Sequence, residues 1–170
     1  MDESGGSRTH PDALGRALER ASEAFALIGG AIFVGIAIMS VASIASRWLF
    51  NKPLSGDYEL VQAGCAVFVA MCLPIAQMRG ANIIVDFFTT RASPSTQRKL
   101  DAVGALLLGV VMLLLFWRLS AGTISMREAG ETSTILGWPT WTTYALMLPG
   151  VALTAAAGFY TAWRRMKESR

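Results

Sequence analysis

Four stretches of this chain lack Asp, Glu, Lys and Arg altogether, and their lengths decide what it can fold into. The gaps between Glu23 and Arg47, Glu59 and Arg79, Asp101 and Arg118, and Glu131 and Arg164 hold 23, 19, 16 and 32 residues. A helix crosses the hydrocarbon layer of a bilayer with about 20 apolar residues, so the first, second and fourth gaps are long enough as they stand. The third is short. It reaches span length if Arg118 snorkels toward the headgroups and Leu119 to Ser125 continue the helix. Only 16% of residues are charged, 53% are apolar and the mean hydropathy is +0.44, which suits an apolar solvent rather than water. The expectation is an all-α integral membrane protein with four transmembrane helices, spanning about 24–46, 58–78, 100–122 and 139–163. Residues 1–23 form a polar tail and lead-in, 24–165 the membrane domain and 166–170 a short tail.

The net charge of +3 does not point to nucleic acid, because the basic residues sit at the ends of apolar spans. With four crossings, 11 of the 15 Lys and Arg fall on one side and 4 on the other. The richer side holds the N-terminus, the middle loop and the C-terminus, which are therefore expected in the cytoplasm. The first apolar stretch is too long for a cleaved signal peptide, whose apolar core covers about 7–15 residues, so it is expected to be retained. Cys65 and Cys72 lie seven apart on one face of the second helix with no CxxC spacing, and read as small packing residues. His10 lies in the polar tail, and nothing around it suggests a metal.

Small residues mark where helices can approach closely. Ala31, Gly35, Ala42 and Ser46 lie near one face of the first helix, and Gly150, Thr154, Gly158 and Ala162 recur at every fourth position of the last. These are candidate packing stripes, internal or against a larger membrane partner. Asp57 suits the N-cap of the second helix and Pro139 the first position of the fourth. Pro74 is expected to kink the second helix near its inner end. Gln62 and Gln77, near the membrane boundaries, are expected to hydrogen-bond between helices. In the middle loop, Ile83, Ile84, Phe87 and Phe88 would give a helix one greasy face, suited to lying flat at the cytoplasmic interface. Trp138, Trp141 and Tyr144 form an outer aromatic belt, with Tyr160 and Trp163 as an inner one.

The sequence contains no phosphate loop, paired carboxylates, metal cluster or nucleophile with its base, so no enzyme chemistry and no cofactor is expected. The uncharged spans also lack the buried ionisable groups with which pumps and coupled transporters handle ions. On the outer side Asp57, Glu59, Glu128 and Glu131 stand with Arg47, Lys52, Arg118 and Arg127. That rim is either a solvated, mutually compensating surface or a charge-steered docking site, with Arg47, Asp57, Glu59 and Glu131 as the candidate contacts. A scaffold or accessory subunit fits these features. A four-helix thiol oxidase would need periplasmic cysteine pairs, and a self-contained homo-oligomeric exporter or channel would show polar pore-lining stripes, which are missing.

The outer hairpin Arg47-Trp48-Leu49-Phe50-Asn51, followed by Pro53-Leu54-Ser55-Gly56-Asp57-Tyr58-Glu59-Leu60, resembles that of the small membrane subunit of TRAP transporters, the DctQ-like family. Leu73-Pro74-Ile75-Ala76-Gln77, then Gly80-Ala81-Asn82-Ile83 and Val85-Asp86, look like its segment at the inner end of the second helix. Gly130-Glu131-Thr132-Ser133, Pro139 with Trp141, and Pro149-Gly150 are similar to its last outer loop and helix. The resemblance runs over roughly residues 24 to 165 in the right order, and Asn82 departs from it where the family often has His. It implies a tripartite transporter of the bacterial inner membrane for organic acids, usually carboxylates such as dicarboxylates, working by symport with an ion, commonly sodium. It also implies two protein partners: a periplasmic substrate-binding protein, and a large membrane subunit that moves the substrate while this chain braces it. The lipid bilayer is the third partner.

Overall fold

The computed structural model describes residues 13–51, 55–80 and 94–168, and these form four helices: α1 (Ala13–Phe50), α2 (Asp57–Met78), α3 (Pro94–Ala129) and α4 (Trp141–Glu168). Each contains a stretch long and apolar enough to cross a membrane. Among the described residues there is no strand, only an isolated bridge between Thr132 and Pro139. The interfacial helix expected in the middle loop falls on residues 81–93, outside the described residues.

The helices outrun the charge-free stretches that announce them. α1 begins eleven residues before the first gap and α3 passes through an exposed Arg118 to Ala129. Charge ends a span, but it does not end a helix, because backbone hydrogen bonds continue into the headgroup region and beyond. What ends these helices is left-handed backbone. Asn51 (φ 52°) closes α1 with its N–H on the Arg47 carbonyl at 3.0 Å. Gly130 (φ 66°) closes α3: its N–H donates to Arg127 at 3.3 Å and that of Glu131 to Met126 at 3.3 Å, a double closure that only a residue tolerant of positive φ permits.

Two expected helix starts differ. Asp57 is the first residue of α2 rather than its cap, which is Gly56 at φ 82° with no side-chain bond. Its carboxylate accepts instead from the adjacent Tyr58 N–H at 2.7 Å and from Ser43 Oγ of α1 at 2.5 Å. Pro139 stands before α4, paired with Thr132, while its carbonyl accepts from the Thr142 N–H at 3.1 Å.

The helices stand in a row rather than closing into a bundle. α2 packs against α1 on one side and α4 on the other, and α4 packs against α2 and most extensively against α3. The spatial order is thus α1–α2–α4–α3, with α1 and α4 touching only slightly. Burial follows position: the most apolar window of α4 is 50% buried and that of α1 only 6%. Leu27, Ile38, Val41 and Ile44 of α1 and Leu107, Val110, Leu113 and Leu114 of α3 face outward, as lipid or an apolar partner allows.

The seams of the row are made of small residues. Ala70 of α2, Ala102 and Ala105 of α3, and Ala155, Ala157 and Ala162 of α4 are all buried. At the α2–α4 seam, a Cβ on Gly150 would lie 2.3 Å from the Ala70 carbonyl oxygen. That oxygen is four residues before Pro74, whose ring nitrogen has no hydrogen to give it, so the usual i→i−4 bond is missing there. At the α3–α4 seam Gly158 lies on Gly109, where a Cβ would be 2.9 Å from the Gly109 Cα. α1 docks differently: Ile36 fills the notch left by Gly64 of α2, and Gly29 lies on Met71.

Candidate functional site: the outer end of the helix row

The short connections α1–α2 and α3–α4 meet at one end of the row, the end that the charge bias leads one to expect outside. Ser43 ties α1 to Asp57 at the head of α2, and both Ser43 and Gly56 are buried there. Two residues along, Glu59 reaches across to the α3–α4 loop. Its Oε2 accepts from Ser133 Oγ at 2.8 Å and from the Leu136 N–H at 3.2 Å, and its Oε1 accepts from the Ile135 N–H at 3.1 Å. A carboxylate that draws several donors of one turn inward gives that turn a single shape, and bonds to an ionised acceptor are the stronger kind.

The loop is closed on itself as well. The Ser133 N–H donates to the Trp138 carbonyl at 2.8 Å, the Trp138 N–H donates back to Ser133 Oγ at 3.3 Å, and the Thr140 N–H donates to Glu131 at 3.1 Å. Trp138 Nε1 donates to Thr142 Oγ1, which in turn donates to the Pro139 carbonyl at 2.7 Å. Leu136 drops its side chain onto Gly56, where any Cβ would meet it at 2.4 Å. Arg127 lies over the Trp141 ring, 5.3 Å from its centre, and joins the end of α3 to the start of α4. A loop of eleven residues between α3 and α4 is thus held by α2, α4 and itself.

Of the rim residues singled out from the sequence, Arg47 and Glu131 are exposed, Asp57 and Glu59 half-buried. Asp57 and Glu59 spend their carboxylates on the chain itself, whereas Glu131 uses only its backbone in the loop. Of the packing candidates, Gly150, Thr154, Gly158 and Ala162 all lie buried inside the row, with the Thr154 hydroxyl donating to the Gly150 carbonyl at 2.8 Å. Ala31 and Gly35 are exposed, Gly35 along the groove of α1, α2 and α4, and among the described residues no other helix comes within 4 Å of where a Gly35 Cβ would be. Gly29 and Gly64, which do hold α1, carry no stripe that would single them out.

Below the loop, α1, α2 and α4 leave a half-open groove of about 790 Å³. Its walls are mainly apolar, and Gln62, exposed, faces into it. At the opposite, inner end Arg165 pairs with Asp101 of α3, Arg79 with Glu23 at 3.6 Å, and Lys167 lies 5.4 Å from the centre of the Trp163 ring. Among the described residues no three His, Cys, Asp or Glu side chains gather as metal ligands. The outer end is a shaped surface.

The family model for the DctQ component of tripartite ATP-independent periplasmic transporters matches residues 36–168. Comparison with curated proteins and with solved structures finds no match.

Proposed function

The chain belongs to the DctQ component family of tripartite ATP-independent periplasmic transporters and is a multi-pass transporter subunit rather than an enzyme, and from that premise we propose that it works as a non-transporting scaffold. It braces the large membrane subunit in the bacterial inner membrane, with both termini in the cytoplasm. Its outer end helps receive the periplasmic binding protein during uptake of an organic acid, a carboxylate, by symport with sodium. The small-subunit role rests on the family, and the scaffold role on the row of helices. A single row that leaves apolar faces of α1 and α3 uncovered offers packing surface, and its charge-free stretches carry no Asp, Glu, Lys, Arg or His with which to couple an ion to a substrate. The extended apolar surface fits a large apolar partner.

The outer end supports the docking part. A partner that must be met by diffusion binds faster to a loop already in its bound shape, since no ordering cost is left to meet at encounter. Glu59 and Asp57 then act by holding the surface, while the exposed Glu131 and Arg47 are the charges free to steer a partner.

Purified and placed alone in liposomes under a sodium gradient, the chain is expected to give no organic-acid uptake, and addition of the large subunit and binding protein should restore it. Robust solute flux from the isolated chain would overturn the scaffold reading in favour of a homo-oligomeric exporter. Glu131→Lys in the complete system should slow uptake at low binding-protein concentration, more so at low salt. Uptake unchanged at every ionic strength would leave the rim without a docking role.

A further inference from the structure

We propose that the groove under the outer loop is a binding site for one glycerophospholipid of the outer leaflet. Four observations carry it. The groove opens between α1, α2 and α4 below the outer loop, along their charge-free stretches, and its floor of Ile32, Ile36, Met39, Ala63, Ala66 and Val67 is apolar. An apolar recess there does not stay empty, since voids forfeit dispersion contacts, and it does not hold water, which finds too few partners on such walls. Hydrocarbon fills it.

Shape then separates an acyl chain from a protein helix. Ile36, seated in the Gly64 notch, closes the back of the recess and keeps a helix backbone from approaching α2 there. Flexible acyl chains do not suffer that restriction.

The lip supplies the polar complement. Gln62 lies three residues, less than one turn, inward from Glu59, and among the described residues nothing hydrogen-bonds to its amide. A carboxamide exposed just below the headgroup region needs partners, and the ester carbonyls of a glycerophospholipid lie at that depth as acceptors for its N–H groups. Thr143 and Tyr144 line the same lip with hydroxyls that can donate likewise. Glu59, the acidic residue of the lining, has both oxygens engaged by its own loop. Its charge is thereby directed at the loop's own N–H and O–H donors rather than into the recess.

The proposal does not rest on the scaffold reading and is tested first on the isolated chain. Delipidated protein is titrated with dioleoyl phosphatidylethanolamine and read by native mass spectrometry. One tight adduct per chain is expected for the wild type and for Val69→Phe, an exposed α2 position outside the groove. Ala66→Trp, which fills the recess, should weaken that adduct about tenfold or more, and Gln62→Leu should weaken it several-fold. Equal adducts in Ala66→Trp and Val69→Phe would overturn the site. Folding of the filled variant is checked by its melting temperature, and a second measurement avoids it altogether. A diazirine-bearing residue replacing Met39 in the complete transporter, in vesicles, should carry a mass of phospholipid after illumination. A crosslink there to another protein, or no lipid adduct, would overturn the proposal, whereas solute flux from the isolated chain would count against the scaffold reading alone.

Discussion

At Gly150 the spacing of two helices is set by the absence of one methyl group. Gly150→Ala places a Cβ against the Ala70 carbonyl, a backbone atom that cannot swing aside, so α2 and α4 must part. The expected loss is about 1–3 kcal/mol, read as a lower melting temperature in detergent and a lower yield, with the outward-facing Ala31→Leu unchanged as control. Gly158→Leu should act in the same way on α3 and α4, which makes it a probe of this chain's own packing before any partner is added. Glu59→Ala removes three acceptor bonds at once and should leave the helices intact while exposing the Ser133–Leu136 segment to limited proteolysis in detergent; an unchanged cleavage pattern would show that the loop holds itself. The fourfold spacing of Gly150, Thr154, Gly158 and Ala162 was visible in the sequence because helical periodicity is local. Which neighbour each small residue meets was not, since Gly150 faces α2 and Gly158 faces α3. Glu59 was read as an outward charge for a similar reason: its partners stand 74 to 77 residues away, and no local pattern announces them.

Among the elements, α3 depends most on a single neighbour. It is held by α4 at three levels: Arg127 over Trp141 outside, Gly109 against Gly158 in the middle, and Asp101 with Arg165 inside. The inner pair is only about 30% exposed on each side chain and stands where water thins out. Asp101→Asn and Arg165→Gln are expected to be non-additive by about 0.5–1 kcal/mol in a double-mutant cycle of thermal unfolding, and strict additivity would assign the pair no energetic role. The sequence announced α3 least clearly, with 16 charge-free residues against a helix of 36. Hydropathy reports solvent along the helix, whereas the length of the helix depends on where left-handed backbone breaks it. The same gap between solvent and backbone explains α2, whose start is set by Gly56 and not by the capping chemistry of Asp57.

At the scale of the whole molecule, the number of spans was legible because bilayer thickness converts directly into residues, while their order in space was not. Orientation is the most direct thing to test. Reporter fusions after Arg170 and within Ser93–Gln97 should be active as cytoplasmic markers only, and those within Thr132–Gly137 as periplasmic markers only; a periplasmic C-terminus would undo the four-span orientation. The order α1–α2–α4–α3 also has a consequence for synthesis at the ribosome. α1 and α2 leave the insertion channel as a pair that can dock at once, through Ile36 in the Gly64 notch and Ser43 on Asp57. α3 follows with no mate, its Gly109 surface uncovered, and has to wait in the lipid or at the channel for a last helix that wedges between it and α2. A nascent chain arrested before Trp141 should therefore expose α3 to quality-control proteolysis while the first hairpin survives, and α4 supplied as a separate peptide should rescue it. The fourth helix is the one that turns two unconnected parts into a single wall.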